Sequence, residues 1–237
     1  MIKKFIHRVL RLGRAKSAKE IPKSKHGVSR ERLSSAALRV CSGLRDAGYQ
    51  AYVVGGAVRD LLLGITPKDF DVATNATPEA VHKLFRRSRL IGRRFQIVHV
   101  MFGADTVEVS TFRSGAAEDK DEHGRVLRDN AYGTREQDAA RRDFTSNALY
   151  YDPAHETIFD FHGGLADIKA KTVRIIGEPA ERYREDPVRM LRAARFAAKL
   201  GFSIDRATRA PIRTLAPLIE NVPPARVFDE MLKLLLS

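Results

Sequence analysis

The apolar positions fall into a helical rhythm from about Ser29, with Leu33, Ala36, Ala37, Val40 and Leu44 on one face and Gly48 closing the run. A strand is predicted at Ala51–Val54. Gly55 and Gly56 then open a short helix through Leu63, which Gly64 ends, and a turn at Thr66 and Pro67 leads into an extended 69–72. Thr77 as N-cap with Pro78 in the first turn predicts a helix to about Arg87. Residues 95–102 and 106–112 are strand-like and flank Gly103, Ala104 and Asp105, a hairpin pattern. Residues 114–137 are polar, charged and aperiodic, so a long loop is expected. Helical spacing resumes over 139–151, strands are expected at 157–161 and 173–176, and from Pro179 the chain reads as helices only. The apolar run 231–236 stops without a capping Gly, so further helices are expected beyond it.

A chain of 237 residues can bury a substantial core. Its formal charge of +13 points to a polyanionic partner. Most of that excess is local, since residues 1–32 hold eleven Lys and Arg against Glu20 and Glu31. Three parts are therefore expected: a basic, flexible extension over 1–28, a larger unit over 29–176, and a helical unit over 177–237. Residues 1–10 also suit an amphipathic helix lying on a membrane surface or against another protein. The single Cys41 excludes an internal disulfide and a Cys-rich zinc site, leaving no disulfide partner within the chain.

Candidate chemistry concentrates in Gly55-Gly56-Ala57-Val58-Arg59-Asp60, followed after a short helix by Asp69-Phe70-Asp71. Alternate side chains of a strand share a face, which puts Asp69 and Asp71 side by side. Paired carboxylates repel unless a cation joins them, and Mg2+ suits a site built from one or two carboxylates plus substrate phosphates. Glycines without Cβ let the backbone approach a triphosphate at a helix start, and Arg59 is placed one turn on to reach a phosphate. Alone, an Asp-x-Asp is commonly a solvated turn and Gly-Gly a plain one. The ordered set of strand, glycine pair, Arg and Asp-bearing strand is more specific.

That set resembles the nucleotidyltransferase superfamily, in the bacterial branch that contains poly(A) polymerases and tRNA CCA-adding enzymes. The resemblance runs from about Val28 to the end and includes Arg141-Arg142-Asp143-Phe144-Thr145 and Glu185-Asp186-Pro187-Val188-Arg189. It implies an α+β fold: a nucleotidyltransferase head with a five-stranded mixed sheet and helices, followed by an all-α neck. It also implies two Mg2+ ions on Asp69 and Asp71, ATP as substrate, RNA 3′ ends as partner and a bacterial cytoplasmic setting, with peripheral membrane association left to the basic opening segment. Asp143 is a family active-site position, and Arg142 and Arg113 belong with Gly55, Gly56 and Arg59 in the implied nucleotide set. Glu108 is the candidate third carboxylate, because it alternates with Val107 and Val109; the competing reading is an exposed hairpin charge. Asp186, Arg189, Arg192 and Arg195 recur every three residues, and the resemblance assigns Asp186 and Arg189 to the base edge and the later arginines to holding the site.

The segment 90–100, Leu-Ile-Gly-Arg-Arg-Phe-Gln-Ile-Val-His-Val, resembles the stretch that marks the poly(A) branch. Addition of CCA to tRNA is the alternative activity, and an RNA-binding fragment without turnover is a second.

Overall fold

The computed structural model describes residues 18–92, 96–114, 119–120, 126–128 and 131–236. Its centre is an eight-stranded mixed sheet. The strands are β1 (Lys19–Pro22), β2 (Ala51–Val54), β3 (Asp71–Thr74), β4 (Ser88–Ile91), β5 (Ile97–Phe102), β6 (Asp105–Thr111), β7 (Leu149–Asp152) and β8 (Thr157–Asp160). They lie in the order β1-β8-β7-β2-β3-β6-β5-β4. Only β3 and β6 pair in parallel; every other neighbouring pair in this sheet is antiparallel.

Alternation along these strands divides the apolar residues between two faces. One carries Ile21, Val53, Val72, Val98, Val100, Val107, Val109 and Ile158 and packs on helix α1 (Ser35–Asp46) and helix α3 (Pro78–Leu84), forming the main core. Helix α1 is started by the Ser34 hydroxyl, which accepts from the Ala37 N–H, and it buries Ala36, Ala37, Val40, Cys41 and Leu44. The short helix α2 (Gly56–Leu62) follows β2 directly. The opposite sheet face carries a smaller cluster of Tyr52, Val54, Ala73, Phe112, Tyr150 and Phe161 with Ala139 of helix α4 (Arg135–Arg141).

The expected five strands are present as β2, β3, β5, β6 and β8, and three more correct the five-stranded picture. Strand β1 comes from the segment expected to be a flexible extension; its Ile21 is 2 % exposed and anchors it beside β8. Residues 1–17, including the candidate membrane-surface helix, lie outside the described residues. Strand β4 is an edge strand with only Ser88 buried, so it shows no apolar alternation. Strand β7 replaces the second half of an expected helix. All four of its residues are buried, and a short run buried on both faces has no period that separates strand from helix.

The expected loop at 114–137 is shorter than its polarity suggested. Thr134 and Gln137 form a reciprocal capping box that starts α4. A small hairpin pairs Asp119–Lys120 with Val126–Arg128, while 115–118, 121–125 and 129–130 lie outside the described residues.

The remaining chain forms α5 (Pro179–Glu185), α6 (Val188–Leu200) and α7 (Pro224–Leu235), with short helical turns between α6 and α7. The all-α expectation for this region is corrected by Ser203–Ile204, which pairs in parallel with Thr172–Val173. The expected strand at 173–176 is thus outside the main sheet and ties the helices to it. Phe144 meets Phe196 of α6 edge to face at 5.6 Å, and the Tyr183 hydroxyl donates to the Thr208 carbonyl at 2.8 Å. Among the described residues no helix is long and apolar enough to cross a membrane.

Candidate functional site

Strand register builds the site. Asp71 opens β3 and stands opposite Glu108 of the parallel strand β6 and opposite Val54 of β2, so Asp71 and Glu108 share one sheet face. Asp69 precedes the strand, in the bend after the turn, and is exposed. Burial pushes the Asp71 carboxyl up to about 6, and the negative charges of Glu108 and Asp69 push the same way, with only Arg142 opposing them. Uncompensated negative charge of this kind is what a divalent cation relieves. Among the described residues no group of three or more His, Cys, Asp or Glu side chains could hold a metal ion by itself. The carboxylates present fit Mg2+, which completes its shell with water and substrate phosphate.

Gly55 lies between β2 and α2 at φ +73°, in a region that disfavours a side chain. A Cβ added there would lie 3.5 Å from an Arg142 guanidinium nitrogen and 3.9 Å from the Asp71 carboxylate. The glycine therefore leaves the approach to Asp71 open. Gly56 begins α2 beside Arg59.

Arg142 is fixed from three sides. It donates to the Tyr150 hydroxyl at 2.9 Å, to Asp138 at 3.2 Å and to the Asn147 carbonyl at 3.4 Å. Tyr150 in turn donates to Asp138 at 2.6 Å. Burial alone would raise the Asp138 carboxyl, but the charges of Arg142 and Arg141 and the Tyr150 hydroxyl hold it below its ordinary value. Asp138 is fully buried and also receives the Arg113 N–H.

Asp143 is committed differently. Its Oδ1 accepts from the Phe144 N–H at 2.7 Å and from Asn147 at 3.2 Å, and its Oδ2 takes two hydrogen bonds from Arg192 at 2.9 and 2.6 Å. Burial would raise its carboxyl, but Arg192 outweighs it and the pKa is lowered. Arg59 is 3 % exposed, with its guanidinium held by Asp60 and by Asn147 at 2.7 Å and lying over the Phe196 ring. It braces α2 against α6. Arg113 is buried and donates to the Gln96 carbonyl at 3.4 Å.

A cleft of about 400 Å³ lies between the end of α4 and helices α6 and α7. Its lining includes Arg142, Asp143, Asp186, Arg189 and Arg192. It thus brings together four residues of the expected nucleotide set, Arg142, Asp186, Arg189 and Arg192, with the expected active-site position Asp143. Arg189 hydrogen-bonds Glu185 and the Arg182 carbonyl, and Asp186 pairs with Arg226 at 3.1 Å. Arg195 is turned to Glu230 of α7 and lies over Phe196, so it supports the cleft wall.

Sequence reasoning missed several supports. Asp138, Asn147 and Tyr150 fix Arg142, while Arg182 clamps the backbone before Asp143 by donating to the carbonyls of Arg141 and Arg142 at 2.6 and 2.7 Å. Arg226 and Glu230 come from α7. The capping box beside Asp138 was a readable signal for α4; nothing local marks the other residues.

Known proteins similar to this chain are found in sequence and in structure. A family model described as "Poly A polymerase head domain" matches residues 51–174, and one described as "Probable RNA and SrmB- binding site of polymerase A" matches residues 201–237. Poly(A) polymerase I of Escherichia coli O157:H7 is 56% identical over 223 residues, covering 91% of this chain and 48% of that protein. The CCA-adding enzyme of Geobacillus thermodenitrificans is 41% identical over 199 residues, covering 84% of this chain and 48% of that protein. The chain thus spans about half the length of the curated relatives it matches. Among solved structures, the Bacillus stearothermophilus CCA-adding enzyme in complex with CTP aligns with a TM-score of 0.77 at 37% identity, covering 86% of this chain and 49% of that one.

Proposed function

The chain belongs to the poly A polymerase head domain family, and from that premise we propose that it is the catalytic part of a template-independent polynucleotide adenylyltransferase that transfers AMP from ATP to RNA 3′ ends. The observation that carries this reading is the in-register pair Asp71 and Glu108 with Gly55 and Arg142 beside Asp71, Arg142 being also part of the lining of the cleft against the helices. In the transfer the RNA 3′-oxygen bonds to the α-phosphorus, the α–β phosphoanhydride bond breaks, pyrophosphate leaves and the hydroxyl proton passes to solvent. Two Mg2+ ions on Asp69 and Asp71, with Glu108 beside them, would supply activation of the hydroxyl and charge neutralisation on the triphosphate.

The chain's own residues hold the nucleotide. Gly55 and Gly56 admit the triphosphate, and Arg142, already fixed by Asp138 and Tyr150, donates to it without reorganising. Asp186 and Arg189 meet the base edge in the cleft, an Asp accepting from the exocyclic amine and an Arg donating to the ring. Asp143 acts through Arg192, holding it at the cleft wall. Residues 29–176, with β1 joined to their sheet, form the catalytic head in this reading and 177–237 the nucleotide-selecting neck.

Higher identity to the poly(A) polymerases than to the CCA-adding enzymes supports adenylate addition. The test is incubation with labelled RNA, Mg2+ and each NTP separately. Long tails with ATP alone support the proposal. Three added residues that require CTP would replace it with CCA addition, and retained RNA without pyrophosphate release would leave only a binding role.

A further inference from the structure

The carboxylate pair is part of a longer row. On the face that bears Asp71 and Glu108, the register continues from Glu108 to His99 of β5 and from His99 to Arg89 of β4, so four side chains line up across four adjacent strands. Strands are spaced about 4.8 Å apart, which puts Arg89 roughly 14 Å from Asp71 along the row. His99 Nε2 is 3.8 Å from Glu108 Oε2 and is partly open to solvent. The Arg89 side chain is exposed and makes no hydrogen bond or ion pair among the described residues. An edge strand commonly carries charge as protection against pairing with another sheet. That role does not explain a donor pair on the same face as the carboxylates and extending directly from them.

The other side of the row is already assigned. Gly55, Arg142 and the cleft with Asp186 and Arg189 all lie on the β2 side of Asp71. The two substrates must meet at the carboxylates without overlapping, so the RNA next to the 3′-hydroxyl is left the β5–β4 side, with RNA farther back open to the region 201–237 that matches a probable RNA-binding model. Resting on the adenylyl-transfer reading above, we propose that His99 and Arg89 form the phosphate subsite for the RNA strand behind its 3′-hydroxyl. Both are donors to phosphate oxygens, and neither reads a base, which suits a primer of arbitrary sequence.

Arg89→Ala, Arg89→Lys and His99→Gln separate this from a structural role. Arg89→Ala is expected to weaken binding of a labelled single-stranded RNA roughly tenfold, as a charged hydrogen bond is lost. It should also flatten the dependence of log affinity on log salt by about 0.7, the value for one phosphate contact on a single strand. Arg89→Lys should recover part of the affinity. In turnover, KM for RNA should rise while KM for ATP and kcat stay within twofold. His99→Gln should raise KM for RNA with the same pattern. Unchanged RNA affinity and salt slope in Arg89→Ala, or a change confined to KM for ATP, would overturn the subsite. Because anisotropy measures RNA binding without turnover, a parent that binds RNA but never releases pyrophosphate would count against the transferase reading and still leave the subsite tested.

Discussion

Asp71→Asn should stabilise the fold at alkaline pH while abolishing turnover. The carboxyl of Asp71 is pushed up to about 6 from an ordinary value of 3.8, chiefly by burial. A carboxyl whose pKa rises on folding favours the native state while it is protonated and costs stability as pH climbs through its folded value. At about 1.4 kcal/mol per pH unit, the cost at pH 8 is at most about 3 kcal/mol, an upper figure because the side chain keeps some contact with water. Asparagine has nearly the same shape and no charge. For a chain of this size, each kcal/mol moves the melting temperature by roughly 2–4 °C, so the metal-free variant should melt about 5–10 °C above the parent at pH 8. Near pH 4 the parent is itself largely protonated and the gap should close. Magnesium should raise the melting temperature of the parent more than that of the variant, because one carboxylate of the set is gone. Calorimetry at pH 4, 6 and 8, with and without Mg2+, measures all three effects. A variant that melts at or below the parent at pH 8, or a gap that persists unchanged at pH 4, would refute the account of Asp71 as a half-buried charge awaiting a cation.

Asp143→Asn leaves Arg192 without its main partner and should lower stability by about 2–4 kcal/mol in urea unfolding; since the Asp143 carboxyl is held below its ordinary value, this contribution should persist above pH 4 and disappear only in stronger acid. Tyr150→Phe removes one donor from Asp138 and one acceptor from Arg142, so it should cost about 1–3 kcal/mol of stability and raise KM for ATP more than KM for RNA. Asp186→Ala should reduce the preference for ATP over GTP more than it reduces magnesium affinity, as read from single-nucleotide incorporation; retained selectivity with only a lower rate would make Asp186 a support for Arg226.

The sequence made the site more legible than its supports. Strand β2, the glycine pair and the Asp-bearing strand were readable because alternation, glycine and paired carboxylates are local signals. Glu108 was left between two readings, since its neighbours Val107 and Val109 are inward on either account. Only the pairing of β6 with β3, a contact between distant segments, brings it opposite Asp71. Asp138 is a polar residue in the first turn of an amphipathic helix, and by pattern alone it reads as solvated. Its burial follows from Arg142 and Tyr150, which arrive from beyond that helix. Strand β7 was read as helix because its tyrosines are buried on both faces, and β1 was read as tail because one isoleucine in a basic segment carries too little periodicity. Arg59 was expected at a phosphate by spacing from the glycines, whereas the geometry turns it to Asn147 and Phe196, neither of which is near it in sequence.

The single parallel pairing in the large sheet has a kinetic consequence. Antiparallel neighbours such as β5 and β6 can zip from a tight turn, but β3 and β6 are joined through α3, β4 and β5 and pair only by a crossover of that length. Closing a connection of that length precedes any reward from the pairing, so such contacts form slowly. Asp71 and Glu108 come together through this step. A nascent chain that has collapsed but not completed the crossover has Asp69 and Asp71 close in sequence but lacks Glu108 opposite them, so the carboxylate set is complete only when this pairing has formed.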